Sequence, residues 1–435
     1  MITDAAPIVT ARLRAHDDAH TLPGYLATGG YEGLRKALSL HPEEVAAEVD
    51  RASLLGRGGA GFPAGRKWSM LRPNPVRYLV VNGDESEPAT FKDHVLIERD
   101  PHQIIEGSLI AAYAIGAAQV FVYVRGEFAL GLERMQSALN EAYRHGAVGR
   151  AILGSGFSVD VVVHPGAGAY ICGDETGLLE SLEGKRGFPR IKPPYYPAAI
   201  GLYGEPTVVN NVETMSNLPW IILHGGAAFA ALGEGSSTGT RMFALSGRVR
   251  RPGNYEVEMA KTTFSDLIHA PVYGQGLRPG RRLKAFIPGG ASSPWFGPDQ
   301  VDLPLDQDAV GKAGSMLGSG SVVVMDDTTC VVRAAWRITR FFHRESCGQC
   351  TPCREGGGWL EKIMRRIEDG AGREEDLDLL LDVCDNISPG LHYWPPEQTT
   401  ICPLGPSIPP SIVCGIRLFR DDFLTHIKDG ACPYA

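Results

Sequence analysis

Cys347-Gly-Gln-Cys350-Thr-Pro-Cys353 is the densest group of metal-ligating residues in the 435-residue chain. Each two-residue gap is one tight turn, so three thiolates can face a common point. Zinc sites are usually assembled from separated C-x₂-C pairs or from cysteine and histidine together. Three closely spaced cysteines plus one distant cysteine are instead the pattern of a four-iron, four-sulfur cluster. A ferredoxin-type run would carry its fourth cysteine four positions on, before a proline, and that position is Gly357. The fourth ligand therefore comes from elsewhere, and Cys384, Cys402, Cys414 and Cys432 lie downstream. Cys402 stands out among them because Thr-Ile-Cys402-Pro403-Leu-Gly is a turn-forming context. A structural zinc knuckle or a set of buried thiols is the plainer alternative. The chemistry expected is electron transfer.

The elements that must position such a centre are those of a soluble globular protein. Apolar, charged and aromatic residues make up 43%, 21% and 8% of the chain, which is ordinary. The formal charge of −8 argues against nonspecific binding of nucleic acid or of an anionic membrane surface. No apolar run is long enough to span a bilayer, and Met1 to Arg14 carry no targeting pattern. Nine cysteines without regular pairing do not read as a disulfide framework, so a reducing compartment is expected.

Helical spacing marks Pro42 to Leu55. Strands are expected at Arg77–Val81, Gln119–Val124 and Val159–Val163, alternating with helices from Pro101 (capped by Asp100), over 128–145 and after Thr176. Strand–helix alternation over 75–225 predicts an α/β layer with a mainly parallel sheet. From about 240 the pattern changes to short strands at Met242–Val249, Tyr255–Met259, Leu283–Ile287 and Ser321–Met325 around one helix at 263–269. Helices at 328–344, 354–368, 373–384 and 416–428 follow, with the cysteine run between the first two.

Glycine-rich and polar segments follow the strands, where ligands bind in such sheets. Gly56-x-Gly58-x-x-Gly61 matches the dinucleotide fingerprint in letters, but a helix precedes it and Pro63 follows, so the match is weak. The small residues still let backbone N–H groups approach an anionic or planar ligand, with Arg57, Arg66 and Lys67 suited to phosphate. Asn82-Gly-Asp84-Glu85-Ser-Glu87 reads either as a solvated loop or as a set of acceptors for ribose hydroxyls. Asp174 and Glu175 read either as complements to a helix N-terminus or as ligand contacts. For Asn210-Asn211-Val-Glu213-Thr214, helix capping competes with recognition of the donors and acceptors of a flavin ring. Lys185-Arg186, Arg190 and Lys192-Pro-Pro-Tyr195 form either a plain surface loop or a pyrophosphate clamp. No histidine pairing reads as catalytic.

Gly-Arg-Gly-Gly-Ala-Gly-Phe-Pro, Asn-Gly-Asp-Glu-Ser-Glu-Pro, Gly-Ala-Gly-Ala-Tyr-Ile-Cys-Gly-Asp-Glu-Thr, Asn-Asn-Val-Glu-Thr and Glu-Ser-Cys-Gly-Gln-Cys-Thr-Pro-Cys-Arg-Glu-Gly occur in this order between Gly56 and Gly356. Together they resemble the NADH-binding flavoprotein subunit of respiratory complex I, the NADH:quinone oxidoreductase, with the likeness running to about Phe423. The resemblance implies an α/β fold class: a Rossmann-like FMN and NADH domain, then a ubiquitin-like β-grasp domain, then a C-terminal helical bundle carrying the cluster. The expected boundaries are 1–74 for an N-terminal helical and glycine-rich region, 75–240, 241–327 and 328–435.

By motif, the resemblance implies an FMN site at Gly56, Gly58, Lys67, Asn82, Asp84, Tyr170, Gly173, Val209, Asn210, Asn211 and Thr214, with Asp174 beside the flavin. The nucleotide would rest on Phe62, Glu87, Glu175, Lys192 and Tyr195, and the [4Fe–4S] ligands would be Cys347, Cys350, Cys353 and Cys402. Met70 and Tyr195 stand where relatives often have Phe, and Asp174 where Glu is common. A segment around Ser388–Pro396 reads as an insertion near the cluster, which keeps Cys384 as a minor rival ligand.

The implied activity is NADH oxidation by hydride transfer to FMN, then single electrons through the cluster toward quinone. No side chain need act as catalytic acid or base; Glu87 and Glu175 would position NADH and disfavour a ribose phosphate. The implied partners are a thioredoxin-like [2Fe–2S] subunit and a large multi-cluster iron–sulfur subunit. The membrane arm is reached only indirectly, at the cytoplasmic face of the bacterial inner membrane, and no nucleic acid is involved. A diaphorase subunit of an NAD-linked formate dehydrogenase or hydrogenase is an alternative. So, in a different class, is a non-catalytic scaffold holding one zinc and no flavin.

Overall fold

The computed structural model describes residues 7–390 and 397–434, so residues 391–396 of the segment read as an insertion lie outside it. Contacts divide the chain into two units: Met1–Ser86 with Phe91–Phe243 and Glu256–Lys261, and Glu87–Thr90 with Ala244–Tyr255 and Thr262–Ala435.

The first unit is built on four parallel strands, β1 (Tyr78–Gly83), β2 (Gln119–Val124), β3 (Asp160–Pro165) and β4 (Thr207–Asn211), in the order β3-β2-β1-β4. Strand β4 was not among the strands expected from sequence. Its five residues are set by pairing with β1, from Tyr78 opposite Thr207 to Asn82 opposite Asn211, and local pattern alone does not reveal such a partner. Leu79, Val80, Val81, Val120, Val122 and Val208 are fully buried, as a parallel sheet covered on its faces requires. Helices Asp93–Arg99 and Pro101–Ile115 connect β1 to β2, and Ala129–His145 connects β2 to β3.

Pro101–Ile115 is buried on nearly every side. At Gly107 an added Cβ would stand 2.0 Å from the Met215 carbonyl oxygen, so a neighbouring helix passes where any side chain would sit. Asp100 stands at the N-cap of this helix as expected, but its carboxylate makes no cap bond and instead accepts from Arg12 Nη1 at 2.8 Å. The helix predicted over 42–55 ends at Arg51, because Leu55 is drawn into an antiparallel bridge with Pro63. Short helices Ala11–Ala15, Leu22–Ala27 and Glu32–Leu38 precede it, and a two-stranded ribbon, β5 (Gly233–Glu234) and β6 (Ser237–Thr238), follows the sheet.

The second sheet comprises β7 (Thr240–Gly247), β8 (Gly253–Glu258), β9 (Leu283–Ile287) and β10 (Ser321–Asp326), in the order β8-β7-β10-β9. Strand β10 runs parallel to β7 and antiparallel to β9. The helix Phe264–His269 opens with a capping box between Thr263 and Asp266. Helices Val331–Glu345, Gly357–Glu368 and Glu375–Ile387 follow, and the last expected helix is longer than predicted, Pro409–Asp429, because the two prolines occupy its first turn. Among the described residues no helix is long and apolar enough to cross a membrane.

Candidate functional site

Strand order reverses at β1. From β1 the chain moves outward through β2 to β3, then returns to lay β4 on the opposite side of β1. Ligands of open parallel sheets bind in the crevice beyond the carboxyl ends of the strands at such a switch point. Asn82, Gly83 and Asp84 leave β1 there, and Asn210 and Asn211 leave β4. The glycine loop is brought to the same edge: Gly56 N donates to the Phe62 carbonyl at 3.0 Å, and Arg57 N donates to Thr214 Oγ1 at 2.9 Å. A Cβ on Gly58 would stand 3.1 Å from that of Asn211, whereas one on Gly59, at φ +142°, would meet nothing within 4 Å. One side of this loop is packed on β4 and the other is open, which suits backbone amides facing a planar anionic ligand.

Gly173 reaches the edge from the third crossover, its carbonyl accepting from Asn82 Nδ2 at 3.0 Å. The Asp84 amide donates to Asn82 Oδ1 at 3.0 Å, and Ser86 Oγ donates to Asp84 Oδ2 at 2.9 Å and to the Tyr170 carbonyl at 3.5 Å. Lys67 projects from helix Ala64–Ser69 and donates to the Val209 carbonyl at 2.8 Å and to Glu175 Oε2 at 2.9 Å. Lys192 donates to the other Glu175 oxygen at 2.9 Å. Burial would raise the Glu175 pKa, but the two ammonium groups hold it down at about 2. Phe62 and Tyr195, 41% and 44% exposed, offer aromatic surface in the same unit.

Several plainer readings hold. Asp174 Oδ1 accepts from the Thr176 and Gly177 amides at 2.9 and 3.1 Å, capping helix Glu175–Leu182. Asn211 Oδ1 likewise caps helix Val212–Ser216, its Nδ2 donates to Asp93 Oδ2 at 2.7 Å, and Asn210 Oδ1 accepts from Trp68 Nε1 at 3.0 Å. Arg57, suited by type to phosphate, is 0% exposed and donates to the Thr238 and Thr240 carbonyls. Arg190 binds Glu180 and Glu183, and Lys185 binds Glu183, leaving Lys192 as the member of the basic loop that reaches Glu175. Glu87 belongs to the second unit, where Oε1 accepts from the Ser292 amide at 2.7 Å.

The acidic run after β1 is not a solvated loop: Asp84, Glu85 and Ser86 are buried. Glu85 accepts from the amides of Lys92 and Asp93 at 2.6 Å each and from His94 at 3.1 Å, so it holds the start of the next helix. Buried Lys92 sits 2.7 Å from Asp93 Oδ1 and 2.6 Å from Glu213 Oε2. Burial opposes its charge, yet the two carboxylates raise its pKa, while Asp93 is pushed up to about 6 by burial and by nearby Glu85 and Glu213. Lys92 is a member of this cluster that is not among the residues expected from sequence. Its one local signal is a lysine adjoining Asp93 beside a dense acidic run.

In the second unit, Cys347 and Cys350 are half-buried and Cys353 is buried. Gly348, at φ +80°, turns the chain between the first two thiols, and Arg354 Nη1 donates to its carbonyl at 2.6 Å. Ser346 Oγ lies 3.2 Å from Cys353 Sγ. Buried Cys402 precedes the short helix Leu404–Ser407, which packs on the turn Pro352–Gly356 that carries Cys353. Burial within helix Glu375–Ile387 pushes the Cys384 pKa up, and Cys432 lies with Cys330 and His426. Thiols on two packed segments fit the donor set of an iron–sulfur cluster.

The family model described as "Nuo51 FMN-binding domain" matches residues 49–220, and "NADH-ubiquinone oxidoreductase-F iron-sulfur binding region" matches 333–426. The NADH-quinone oxidoreductase F 2 subunit of Rhizobium meliloti (strain 1021) is 48% identical over 420 residues, covering 96% of this chain and 97% of that protein. The NADH-quinone oxidoreductase F subunit of Mycobacterium bovis is 47% identical over 445 residues, covering 100% and 97%. A structure of an NAD⁺-reducing [NiFe]-hydrogenase in the H₂-reduced state aligns with a TM-score of 0.78 at 32% identity, covering 99% of this chain and 66% of that one.

Proposed function

Because this chain belongs to the family of NADH-quinone oxidoreductase F subunits, and so oxidises NADH and passes electrons on toward quinone through partner subunits, we propose that the crevice at the β1–β4 switch point is where it does so. When bound, FMN supplies a hydride acceptor that releases electrons singly, and the [4Fe–4S] cluster supplies the one-electron acceptor. The observation that carries this reading is the convergence of four separate segments, Gly56–Lys67, Asn82–Asp84, Gly173–Glu175 and Val209–Thr214, on one end of the sheet.

The chain's own groups have distinct tasks there. Gly56, Gly58 and Gly173 present backbone to FMN. Lys67 supplies positive charge at its rim, Asn82, Asp84, Asn210 and Thr214 shape the crevice floor, and Tyr170 closes it. Val209 and Asn211 act through the backbone and the helix cap, and Asp174 sets the direction of Glu175 by capping the same helix. Phe62 and Tyr195 flank the adenine of NADH, Lys192 meets its phosphates, and Glu175 accepts from ribose hydroxyls and disfavours a ribose phosphate. Cys347, Cys350, Cys353 and Cys402 hold the cluster.

The finer architecture follows the same reading. The divisions 1–74, 75–240, 241–327 and 328–435 are the functional parts. The order β8-β7-β10-β9, second–first–fourth–third along the chain, together with helix Phe264–His269, supports a ubiquitin-like β-grasp module. Packing of Val331–Glu345 against Gly357–Glu368 and Pro409–Asp429 supports a helical bundle. The partners are a thioredoxin-like [2Fe–2S] subunit and a larger multi-cluster subunit at the cytoplasmic face of the membrane. Anaerobic NADH titration of the purified chain, read by visible absorbance and low-temperature EPR, tests the assignment. Bleaching of a flavin band with a reduced-cluster signal, from NADH or after dithionite, is expected. A chain without flavin or iron would overturn it.

A further inference from the structure

A second group of soft ligands lies in the helical part of the second unit, on segments other than the Cys347–Cys353 loop. Cys330 stands at the N-cap of helix Val331–Glu345, Glu368 at the last turn of Gly357–Glu368, His426 near the end of Pro409–Asp429, and Cys432 just beyond it. Cys330 Sγ is 3.4 Å from His426 Nε2, and the ligand atoms of Cys330, His426 and Cys432 all lie within 4.8 Å of one another. Glu368 Oε2 is 3.8 Å from His426 Nε2 and 4.0 Å from Cys330 Sγ. Zn–S bonds of about 2.3 Å and Zn–N bonds of about 2.0 Å at the tetrahedral angle put S···N edges near 3.5 Å and S···S edges near 3.8 Å. The Cys330–His426 separation already matches such an edge, while Cys432, within 4.8 Å of both, and Glu368, at 3.8 and 4.0 Å, lie close enough to move inward and close the tetrahedron around an ion.

The surroundings are those of a built site. His426 Nδ1 lies 2.7 Å from the Asp422 carbonyl oxygen, which can only accept, so Nδ1 carries the proton and the Nε2 lone pair faces Cys330. Metal-bound histidines are oriented by this kind of contact. Cys330 Sγ accepts from the Arg333 amide at 3.2 Å, and the Arg333 guanidinium binds the other Glu368 oxygen. Two thiolates and a carboxylate against a divalent cation and Arg333 sum to zero charge, so the group can be buried without a net charge. A cleft of about 580 Å³ is lined by Cys330, Arg333 and Tyr434, so the Cys330 side of the group borders open space.

We propose that Cys330, His426, Cys432 and Glu368 bind one Zn²⁺, which staples the C-terminal residues to the ends of three helices. Binding releases the two thiol protons to solvent and changes no oxidation state. Zinc has the matching preferences: borderline-soft, tetrahedral and without redox chemistry. The role is structural, since four protein ligands leave no open position for substrate.

The test uses the full chain carrying its iron. After treatment with a mild chelator the protein is titrated with Zn²⁺, zinc and iron are counted together, and the zinc K-edge spectrum is recorded. One zinc in addition to undiminished iron is expected, with two sulfur and two lighter neighbours. Loss of an outer-shell contact alone costs metal sites about 10–100-fold in affinity, so Cys432→Ser should weaken Zn²⁺ binding at least tenfold, whereas Cys384→Ser leaves it unchanged. Because Cys432 is half-buried and lies beyond the last helix, its substitution tests the site without disturbing the core. Each of three results would overturn the proposal: zinc gained only as iron is lost, equal affinity in Cys432→Ser, or a Cys330–Cys432 disulfide that excludes zinc from the protein as isolated.

Discussion

Lys67 Nζ lies 2.9 Å from one oxygen of Glu175, and the opposite oxygen of that carboxylate is taken by Lys192. In the proposed site Lys67 belongs with the flavin and Lys192 with the nucleotide, so this one carboxylate would join the two halves. It also offsets two positive charges that would otherwise welcome any phosphate.

Glu175→Gln should therefore loosen selection against NADPH. Removing one charge at several ångströms in a partly wet site is worth about 1–2 kcal/mol, so the ratio of kcat/KM for NADPH to that for NADH should rise roughly tenfold. Steady-state kinetics with both nucleotides reads the change; an unaltered ratio would separate Glu175 from the ribose.

Lys92 and Glu213 make a contact of a different kind, a buried ion pair at 2.6 Å. Lys92→Met leaves the Glu213 and Asp93 carboxylates facing each other out of water and should cost about 3–5 kcal/mol. Urea unfolding of the flavin-loaded chain measures it. Adding Glu213→Gln should recover part of the loss, since fewer uncompensated charges then remain buried.

Cys353→Ser should interrupt the path of electrons without blocking their arrival. NADH-dependent reduction of a two-electron dye should stay within about twofold of wild type, while iron content and the cluster EPR signal fall. Equal loss of dye reduction in a folded variant would contradict the division between the two sites.

His102 carries a pH prediction. It is fully buried, bonded to Tyr31 through Nδ1 at 2.9 Å and to Glu141 through Nε2 at 3.2 Å. Burial, with help from Arg12 and His145 and against Glu141, lowers its pKa from 6.5 to about 4. The unfolded chain then binds more protons between these values, so this stabilisation is complete above pH 6.5 and is lost as pH falls toward 4. Asp93 and Asp100, pushed up to about 6 by burial, act with the opposite sign, so whole-protein stability is not a clean readout. The difference between wild type and His102→Gln is. It should shift in favour of the variant by about 2 kcal/mol between pH 7 and pH 5, measured by urea midpoints.

The clearest limit of sequence reading is the pair Asn210 and Asn211. Two adjacent amides read as flavin recognition or as helix capping, and the choice depends on what lies opposite. Trp68 and Asp93, remote in sequence, take the Asn210 side-chain oxygen and the Asn211 side-chain amide. Arg57 fails in the same way: its type suits phosphate, but burial against Thr238 and Thr240 directs it inward.

What the sequence alone determined is whatever depends on neighbours along the chain. The spacing of Cys347, Cys350 and Cys353 set one loop of thiols, and the alternation of apolar runs located β1, β2, β3 and β9 to within a few residues. The order of motifs carried the family. Only the tertiary structure decided which charges are buried, that β4 lies beside β1, and that Cys330 meets His426 across 96 residues of chain. The physical reason is that turn geometry and side-chain periodicity are local, whereas burial, register and the pairing of charges depend on segments that meet only when the chain folds.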